Sequence, residues 1–349
     1  MSRPVTDEVL PRHRFDEGAL ERYLEKHVPG FRGPLTVRQF RGGQSNPTYY
    51  LDTPGRAYVL RRKPPGKLLP SAHAVDREYR VMTALAGTGV PVPRTYLLCE
   101  DPDVIGTVFY VMEYVEGRVL ADPRLPEQSP DERAAIFDSM NEVLARLHRV
   151  DWQGIGLGDF GKPGNYFARQ IHRWTQQYRA SETERIEAME RLIEWLPANI
   201  PPGDETALVH GDFRLGNALI HPSEPRIVAV LDWELSTLGH PLADLAYNML
   251  PFRLRPEQFE GFAGQRRPEG IPSEAEYLAA YCRRTGRPDI PRWDWYVAFA
   301  MFRLAAIAQG IMGRVLAGTA NDPNARERGQ RARPLAEAGW TLVQQAFGA

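Results

Sequence analysis

The chain has 349 residues, of which 43% are hydrophobic and 25% are charged, as is typical of a globular protein. This length exceeds that of a usual single core and indicates two lobes or domains. A formal net charge of −1 excludes a broad basic field of the kind that binds nucleic acid or an anionic membrane surface. We therefore expect neither a nucleic-acid partner nor a membrane partner.

Cysteine usage and the N-terminus indicate the compartment. Cys99 and Cys282 are far apart and match no metal-binding pattern, so they fit a reducing cytoplasm. The first 15 residues are charged and interrupted by proline, unlike a signal peptide. The long apolar run at 295–312 contains Arg303 and Gln309, and it predicts a buried helix rather than a membrane span. We expect a cytoplasmic protein.

The N-terminal part of the chain predicts an amphipathic helix followed by short strands. The helix covers residues 17–26, and the first strand covers 35–40. Two more strands, at 48–51 and 57–61, are separated by Asp-Thr-Pro-Gly, which is a good hairpin connection. A turn-rich loop with two adjacent glycines lies between the first two strands.

The rest of the chain predicts one further strand and then mainly helices. Residues 72–86 predict a helix, and the β-branched and aromatic run at 107–114 predicts a strand. Ser129-Pro130-Asp131-Glu132 is a capping box that starts a helix extending to about residue 149. Five later helices are predicted. Ser273 caps the start of one of them, and the others cover 166–178, 183–196, 293–316 and 331–347.

The most informative stretch is His-Gly-Asp-Phe-Arg-Leu-Gly-Asn at residues 210–217, which precedes Leu-Asp-Trp-Glu at 231–234. Its His-x-Asp and Asp-x4-Asn spacings match the catalytic loop of protein kinases. Gly211 replaces the arginine of that loop, and Asp-Trp-Glu replaces the Asp-Phe-Gly that follows it. The pattern predicts phosphoryl transfer.

The chemistry explains these residue types. Phosphoryl transfer needs positioning and charge neutralisation more than covalent help. Asp212 would accept or orient the proton of the nucleophile, while Asn217 and Asp232 would offer oxygen ligands to Mg²⁺. Short strands at 218–220 and 227–231 flank a turn at 222–225, and the second strand ends directly at Asp232. That hairpin would fold Asp232 back toward Asn217.

Residues 209–249 closely resemble the aminoglycoside phosphotransferase and choline kinase group, which has a protein-kinase-like fold. Within that group, the chain looks most like bacterial relatives of the kinase domain of acyl-CoA dehydrogenase family members ten and eleven. The resemblance runs from about residue 35 to the C-terminus. It implies an α+β bilobal fold, with a small antiparallel β-sheet lobe at 1–115 and a larger, mainly helical lobe at 116–349.

The resemblance implies an ATP- and Mg²⁺-dependent phosphotransferase that acts on a hydroxyl of a small molecule. The acyl-CoA dehydrogenase branch implies a hydroxyacyl-CoA or another lipid-derived hydroxy compound as acceptor. The alternatives are an aminoglycoside kinase and a catalytically silent nucleotide-binding protein. Intact Asp212, Asn217 and Asp232 argue against silence. A protein kinase is disfavoured because the seven residues between Asp232 and His240 are too few for an activation loop.

The resemblance also assigns residues to the nucleotide. The glycine loop is either an ordinary turn or, as its position favours, a lid over phosphates made by four residues: Gly42, Gly43, Ser45 and Asn46. Strand parity places Val59 and Arg61 on one face, where they would contact adenine and phosphates. The family often has lysine at the position of Arg61, and Lys63 is a second candidate. Glu78 matches the helix glutamate that pairs with this cation.

Other roles follow from the same resemblance. The backbone of Glu113 and Val115 would bind adenine at the hinge. Arg214 is either a residue near the transferred phosphate or a simple ion-pair partner. Asp244 would prop the catalytic loop through hydrogen bonds, and His210 would be part of the scaffold.

Overall fold

A computed structural model describes residues 6–40, 46–64, 74–320 and 322–349. The chain forms two compact units: the first comprises Met1–Gly117 and Val228–Leu235, and the second comprises Arg118–Ile227 and Ser236–Ala349. The sequence analysis placed one boundary, between residues 115 and 116. The short segment 228–235 joins the first unit because it bonds there, for example from the Val230 amide to the Pro91 carbonyl at 2.9 Å.

The first unit contains an antiparallel sheet and two helices. The helices are α1 (Glu17–His27) and α2 (Val75–Leu85), and six strands form the sheet: β1 (Thr6–Asp7), β2 (Thr36–Phe40), β3 (Thr48–Asp52), β4 (Ala57–Arg62), β5 (Thr95–Cys99) and β6 (Phe109–Glu113). Their order is β1-β2-β3-β4-β6-β5. The sequence analysis missed β5 because Pro91 and Pro93 made this stretch look like an extended crossing. It forms a strand because β6 supplies its hydrogen bonds.

Side-chain alternation along β4 gives the sheet two different faces. Tyr58 and Leu60 are buried in a cluster with Leu20 and Leu24 of α1. Arg61 lies at the opposite parity, where it meets residues of α2. An apolar core therefore covers one face of the sheet, while the other face carries charged side chains.

The second unit is mainly helical. Its helices are α3 (Pro130–His148), α4 (Tyr166–Ala180), α5 (Glu187–Ala198), α6 (Pro241–Asn248), α7 (Leu250–Arg253), α8 (Glu274–Thr285), α9 (Trp293–Leu316), α10 (Ala325–Gln330) and α11 (Ala332–Phe347). Its strands are β7 (Arg118–Val119), β8 (Ala207–Val209), β9 (Ala218–Ile220) and β11 (Thr237–Gly239). The remaining strand, β10 (Ile227–Val230), lies mostly in the segment 228–235 that belongs to the first unit. β7 pairs with β9, and β8 pairs with β11, both antiparallel.

Most predicted helix ends are confirmed, and one is wrong. Ser129 and Ser273 form the capping boxes that start α3 and α8. The helix expected from residue 183 begins only at Glu187. The Thr183 hydroxyl instead accepts a hydrogen bond from the Gln309 side chain at 2.7 Å, which ties the preceding turn to α9.

Helix α9 lies in the middle of the second unit. It is the one helix of the described residues with the length and apolarity to cross a membrane, and 67% of its apolar window is buried. Trp295, Phe299 and Phe302 are almost completely inaccessible. The helix packs against α4, α6 and α11, as the prediction of a buried helix requires.

Candidate functional site

The structure groups the predicted residues by unit. Arg61, Glu78 and Asp232 belong to the first unit, whereas Asp212 and Asn217 belong to the second. Each group is therefore described within its own unit.

In the second unit, residues 210–217 form a loop between β8 and β9. Gly211 has φ of +83°, a conformation that costs little only for glycine. The Asp244 carboxylate, at the start of α6, accepts hydrogen bonds from the amides of His210 at 2.6 Å and Gly211 at 2.8 Å. Arg303 of α9 donates to the Gly211 carbonyl at 2.7 Å. The loop is thus fixed from both sides, and Asp244 makes the hydrogen bonds to it that its predicted supporting role requires.

The charge of Asp244 is balanced inside the protein. Burial alone would raise its pKa, but a hydrogen bond from His148 and the nearby His210 hold the pKa below its ordinary value. His148 Nδ1 in turn lies 2.7 Å from the Tyr281 hydroxyl oxygen. This buried network keeps Asp244 ionised and able to accept two amide hydrogen bonds.

Asp212 and Asn217 lie against each other. The Asn217 side-chain nitrogen donates to Asp212 Oδ2 at 2.7 Å and to the Asp212 carbonyl at 2.9 Å. Because both amide hydrogens are used, Asn217 Oδ1 is the atom left to bind a cation. The arrangement fits the predicted magnesium ligand, whose role stays a prediction.

An open pocket adjoins this loop within the second unit. Its apolar lining comes from eight residues: Ala121, Pro123, Phe137, Met140, Leu215, Pro251, Phe252 and Phe259. Its polar lining includes Arg214, Tyr247 and Glu260. Arg214 Nη1 lies 3.4 Å from Glu260 Oε2, and Arg214 Nε lies 3.7 Å from Asp212 Oδ1. Arg214 therefore joins the pocket wall to the predicted base.

In the first unit, Arg61 gathers carboxylates around one guanidinium. Its Nε lies 3.1 Å from Glu78 Oε2, and its Nη2 donates to Asp232 Oδ1 at 2.8 Å. Glu234 Oε2 is 3.7 Å from the same Nη2. With three carboxylates and one guanidinium, the cluster has an excess of negative charge, which suits a divalent cation.

The titration of this cluster reflects its burial. Burial, followed by Asp232 and Glu234, raises the pKa of Glu78 to about 7, although Arg61 acts in the opposite direction. Burial would lower the pKa of Arg61, but Glu78 and the other acidic neighbours raise it above its ordinary value. Arg61 stays charged, and Glu78 is the group of this cluster whose pKa lies in the neutral range.

Asp232 has an unusual backbone conformation. Its φ is +65°, in the left-handed region that few residues other than glycine adopt. It directly follows β10, and Trp233 Nε1 donates to the Val230 carbonyl at 3.0 Å, which tightens the turn. Such strain is often found at functional positions.

The other residues that were predicted to contact the nucleotide lie outside the carboxylate cluster or at its edge. Lys63 Nζ lies 3.4 Å from Asp76 Oδ1, so Arg61 rather than Lys63 meets Glu78. The Asn46 side chain is buried and donates to Glu78 Oε1 at 3.0 Å. Val59 is also buried. Gly42, Gly43 and Ser45 of the predicted lid lie outside the described residues.

At the predicted hinge, the Glu113 amide donates to the Arg94 carbonyl at 2.7 Å. Its carboxylate accepts from the Arg94 amide at 3.3 Å. Val115 follows β6 and is half-buried. The adenine contacts assigned to these two residues stay predictions.

Comparison with known proteins decides the family. The model of the "Phosphotransferase enzyme family" matches residues 36–296. The chain belongs to this family. A crystal structure of a proposed aminoglycoside phosphotransferase from Ralstonia eutropha is 56% identical to this chain, with a TM-score of 0.88, and the match covers 95% of this chain and 99% of the other.

More distant structures share the fold of this chain. Choline kinase from Cryptosporidium parvum has a TM-score of 0.66 at 13% identity, over 95% of this chain and 97% of that one. An aminoglycoside phosphotransferase in complex with ADP and hygromycin B has a TM-score of 0.62 at 16% identity, over 95% of this chain and 100% of that one. The predicted α+β protein-kinase-like fold is confirmed.

The curated relatives of this chain are longer proteins. Acyl-CoA dehydrogenase family member 10 of Mus musculus is 49% identical over 97% of this chain and 32% of its own length. Acyl-CoA dehydrogenase family member 11 of Rattus norvegicus is 48% identical over 98% of this chain and 45% of its own length. The chain thus spans about a third of the first relative and a little under half of the second, and the predicted resemblance is confirmed.

Sequence reasoning missed several residues that the structure places at these sites. Glu234 joins the cluster around Arg61, and its position two residues after Asp232 was an available signal. Tyr247 lines the pocket, and Arg303 contacts the catalytic loop, but both lie on helices whose apolar spacing is typical of core packing. Glu260 lies in a loop with no recognisable pattern, and only the structure brings it to Arg214.

Proposed function

We propose that this phosphotransferase transfers the γ-phosphoryl group of ATP to a hydroxyl of a small molecule. The observation that carries the proposal is the Asp212 carboxylate, held by Asn217 in a fixed loop beside a pocket. In the step, the acceptor oxygen bonds to phosphorus as the bond to the β-phosphate oxygen breaks. ADP leaves with that electron pair, and the acceptor proton goes to Asp212.

The charged cluster of the first unit supports a nucleotide role. Arg61 can bind a phosphate oxygen while it keeps contact with Glu78, because its guanidinium has several donors in one plane. Asp232 is the residue of this unit that would hold Mg²⁺, which would neutralise phosphate charge there. The oxygen-rich donor set fits a hard cation. Intact Asp212, Asn217 and Asp232 disfavour a silent nucleotide-binding protein.

The pocket lining favours an acceptor without multiple positive charges. Glu260 is its only acidic side chain among the described residues, and Arg214 already neutralises it. A polycationic aminoglycoside would need several unpaired carboxylates there. We therefore favour a hydroxylated metabolite with an apolar part, such as a hydroxyacyl-CoA, over an aminoglycoside.

The test is ATP consumption in the presence of Mg²⁺ with a panel of hydroxylated metabolites that includes hydroxyacyl-CoAs and one aminoglycoside. Asp212→Asn should lose turnover by about 10²–10⁴-fold, the usual scale for loss of a general base, while it still binds ATP. Full turnover in this variant would refute the assignment of Asp212. Product detection by mass spectrometry separates transfer to the acceptor from simple ATP hydrolysis.

A further inference from the structure

Arg214 lies between two carboxylates beside the pocket of the second unit. Its Nη1 donates a hydrogen bond to Glu260 Oε2 at 3.4 Å. Its Nε lies 3.7 Å from Asp212 Oδ1, a distance that is too long for a hydrogen bond. The guanidinium is therefore bound to Glu260 and stands next to the predicted base.

The backbone on each side of this ion pair is anchored. The Asn217 amide donates to the Arg214 carbonyl at 2.9 Å, which closes the tight turn that follows Arg214. Glu260 lies in the loop between α7 and α8, where the Phe262 amide donates to the Pro251 carbonyl of α7 at 2.9 Å. Two fixed backbone segments thus bring Glu260 to Arg214.

The side chain of Arg214 can still move. It is 38% exposed, and a Cβ at Gly216 would lie only 3.2 Å from its Nη1, so the guanidinium rests over a residue without a side chain. A small rotation of this long side chain would close the remaining gap to Asp212. Both contacts are charge–charge contacts in a partly hydrated place, and they compete for one guanidinium. Glu260 therefore decides which carboxylate Arg214 meets.

We infer that Glu260 is a positioning residue that holds Arg214 away from Asp212 and so keeps this carboxylate open to the acceptor hydroxyl. The inference rests on the proposed function, because it assumes that Asp212 receives this hydroxyl. Without the charge of Glu260, Arg214 pairs with Asp212 and competes with the acceptor for the same oxygen atoms. The acceptor then binds only the fraction of molecules in which Asp212 is open, and its apparent affinity falls accordingly.

The first test uses Glu260→Gln, which removes the charge and keeps the shape of the side chain. For the hydroxylated metabolite of the panel that is phosphorylated fastest, KM should rise about 3- to 10-fold, the scale of one partly exposed ion pair. The kcat and the KM for ATP should each change by less than about twofold, because a saturating acceptor displaces Arg214. Glu257→Gln removes an exposed carboxylate from the same loop, and this matched control should alter none of these constants.

A double variant shows whether Glu260 acts through Arg214. In a protein that already carries Arg214→Gln, the change Glu260→Gln should leave the KM for the acceptor within about twofold of its value before the change. A merely structural role of Glu260, or a direct contact of Glu260 with the acceptor, would persist in this background.

A crystal structure of the Glu260→Gln protein without acceptor gives a second readout. An Arg214 side-chain nitrogen should lie within about 3.2 Å of an Asp212 carboxylate oxygen. This measurement needs no turnover, so it decides the inference even if no metabolite of the panel is phosphorylated.

Three outcomes would overturn the inference: an unchanged KM in Glu260→Gln, a rise in KM that persists in the Arg214→Gln background, or an Arg214 side chain that stays away from Asp212 in the Glu260→Gln crystal structure. If Asp212→Asn loses turnover and one of these outcomes is seen, only this inference fails. If Asp212→Asn is fully active, the proposed function fails instead.

Discussion

At the residue scale, Arg61 occupies a position where the family often has lysine. A lysine ammonium is a point charge, whereas the planar guanidinium can contact Glu78 and Asp232 at the same time. Its Nε is buried and makes no hydrogen bond within the described ranges, although it lies 3.1 Å from Glu78 Oε2. The contact of Nε with Glu78 is therefore electrostatic.

Replacement of Arg61 tests this role. Arg61→Ala should weaken Mg²⁺·ATP binding by at least about tenfold, since a charge-assisted hydrogen bond contributes about 1.5–3 kcal/mol. Isothermal titration calorimetry measures the affinity directly.

Arg62→Ala is the matched control for this prediction. Arg62 lies on the opposite face of β4, stacked on Phe15 and Tyr49, and donates to the His13 carbonyl at 2.9 Å. Its loss should lower the melting temperature and leave ATP affinity nearly unchanged. Equal losses of affinity in the two variants would contradict the strand parity on which the assignment of Arg61 depends.

At the element scale, the catalytic loop depends on a backbone conformation that the Gly211 position permits. With φ of +83°, Gly211 directs its amide to Asp244 and its carbonyl to Arg303. An L-residue in this conformation costs about 1–2 kcal/mol. The loop is therefore specified by a glycine where the protein-kinase pattern has arginine.

Gly211→Ala should both destabilise the protein and reduce turnover by at least about tenfold, since a shift of the loop misplaces Asp212. Gly286→Ala is the control, because Gly286 has φ of +73° at the end of α8 and a Cβ there would meet nothing within 4 Å. Thermal unfolding should show a similar loss for both variants. Turnover close to normal in Gly211→Ala would contradict the role of this backbone conformation.

At the scale of the whole molecule, the charged cluster should make stability depend on pH. The pKa of Glu78 is about 7 in the folded chain, against an ordinary value of 4.5. Between these values the folded state binds more protons than the unfolded state, so this contribution to stability is present at low pH and is lost as pH rises from about 4.5 to about 7. The direction of this pH dependence follows from the burial of Glu78 beside Asp232 and Glu234 rather than from its ion pair with Arg61.

Glu78→Gln should remove this dependence. We expect the free energy of unfolding of the unmodified protein to fall, relative to that of the variant, by on the order of 1–3 kcal/mol as pH rises over this range. Thermal or denaturant unfolding at several pH values measures the difference. A difference that instead grows with pH would show that Arg61 dominates and keeps Glu78 ionised throughout.

Much of the fold was predictable because its signals are local. The alternation of Tyr58, Val59, Leu60 and Arg61 predicted β4 and the two faces of the sheet. The capping box at Ser129 marked the start of α3. Strand β5 was missed because its short sequence gives no strong signal by itself, and only pairing with β6 makes it a strand.

The sequence by itself determined the family, the fold class and the chemical types at the site, because the spacing of Asp212, Asn217 and Asp232 is a local property of the chain. Only the tertiary structure decided which side chains surround them. Glu260 meets Arg214, and Arg303 meets Gly211, across 46 and 92 residues of sequence respectively. Contacts over such separations depend on how helices and loops pack, and no short pattern encodes that packing.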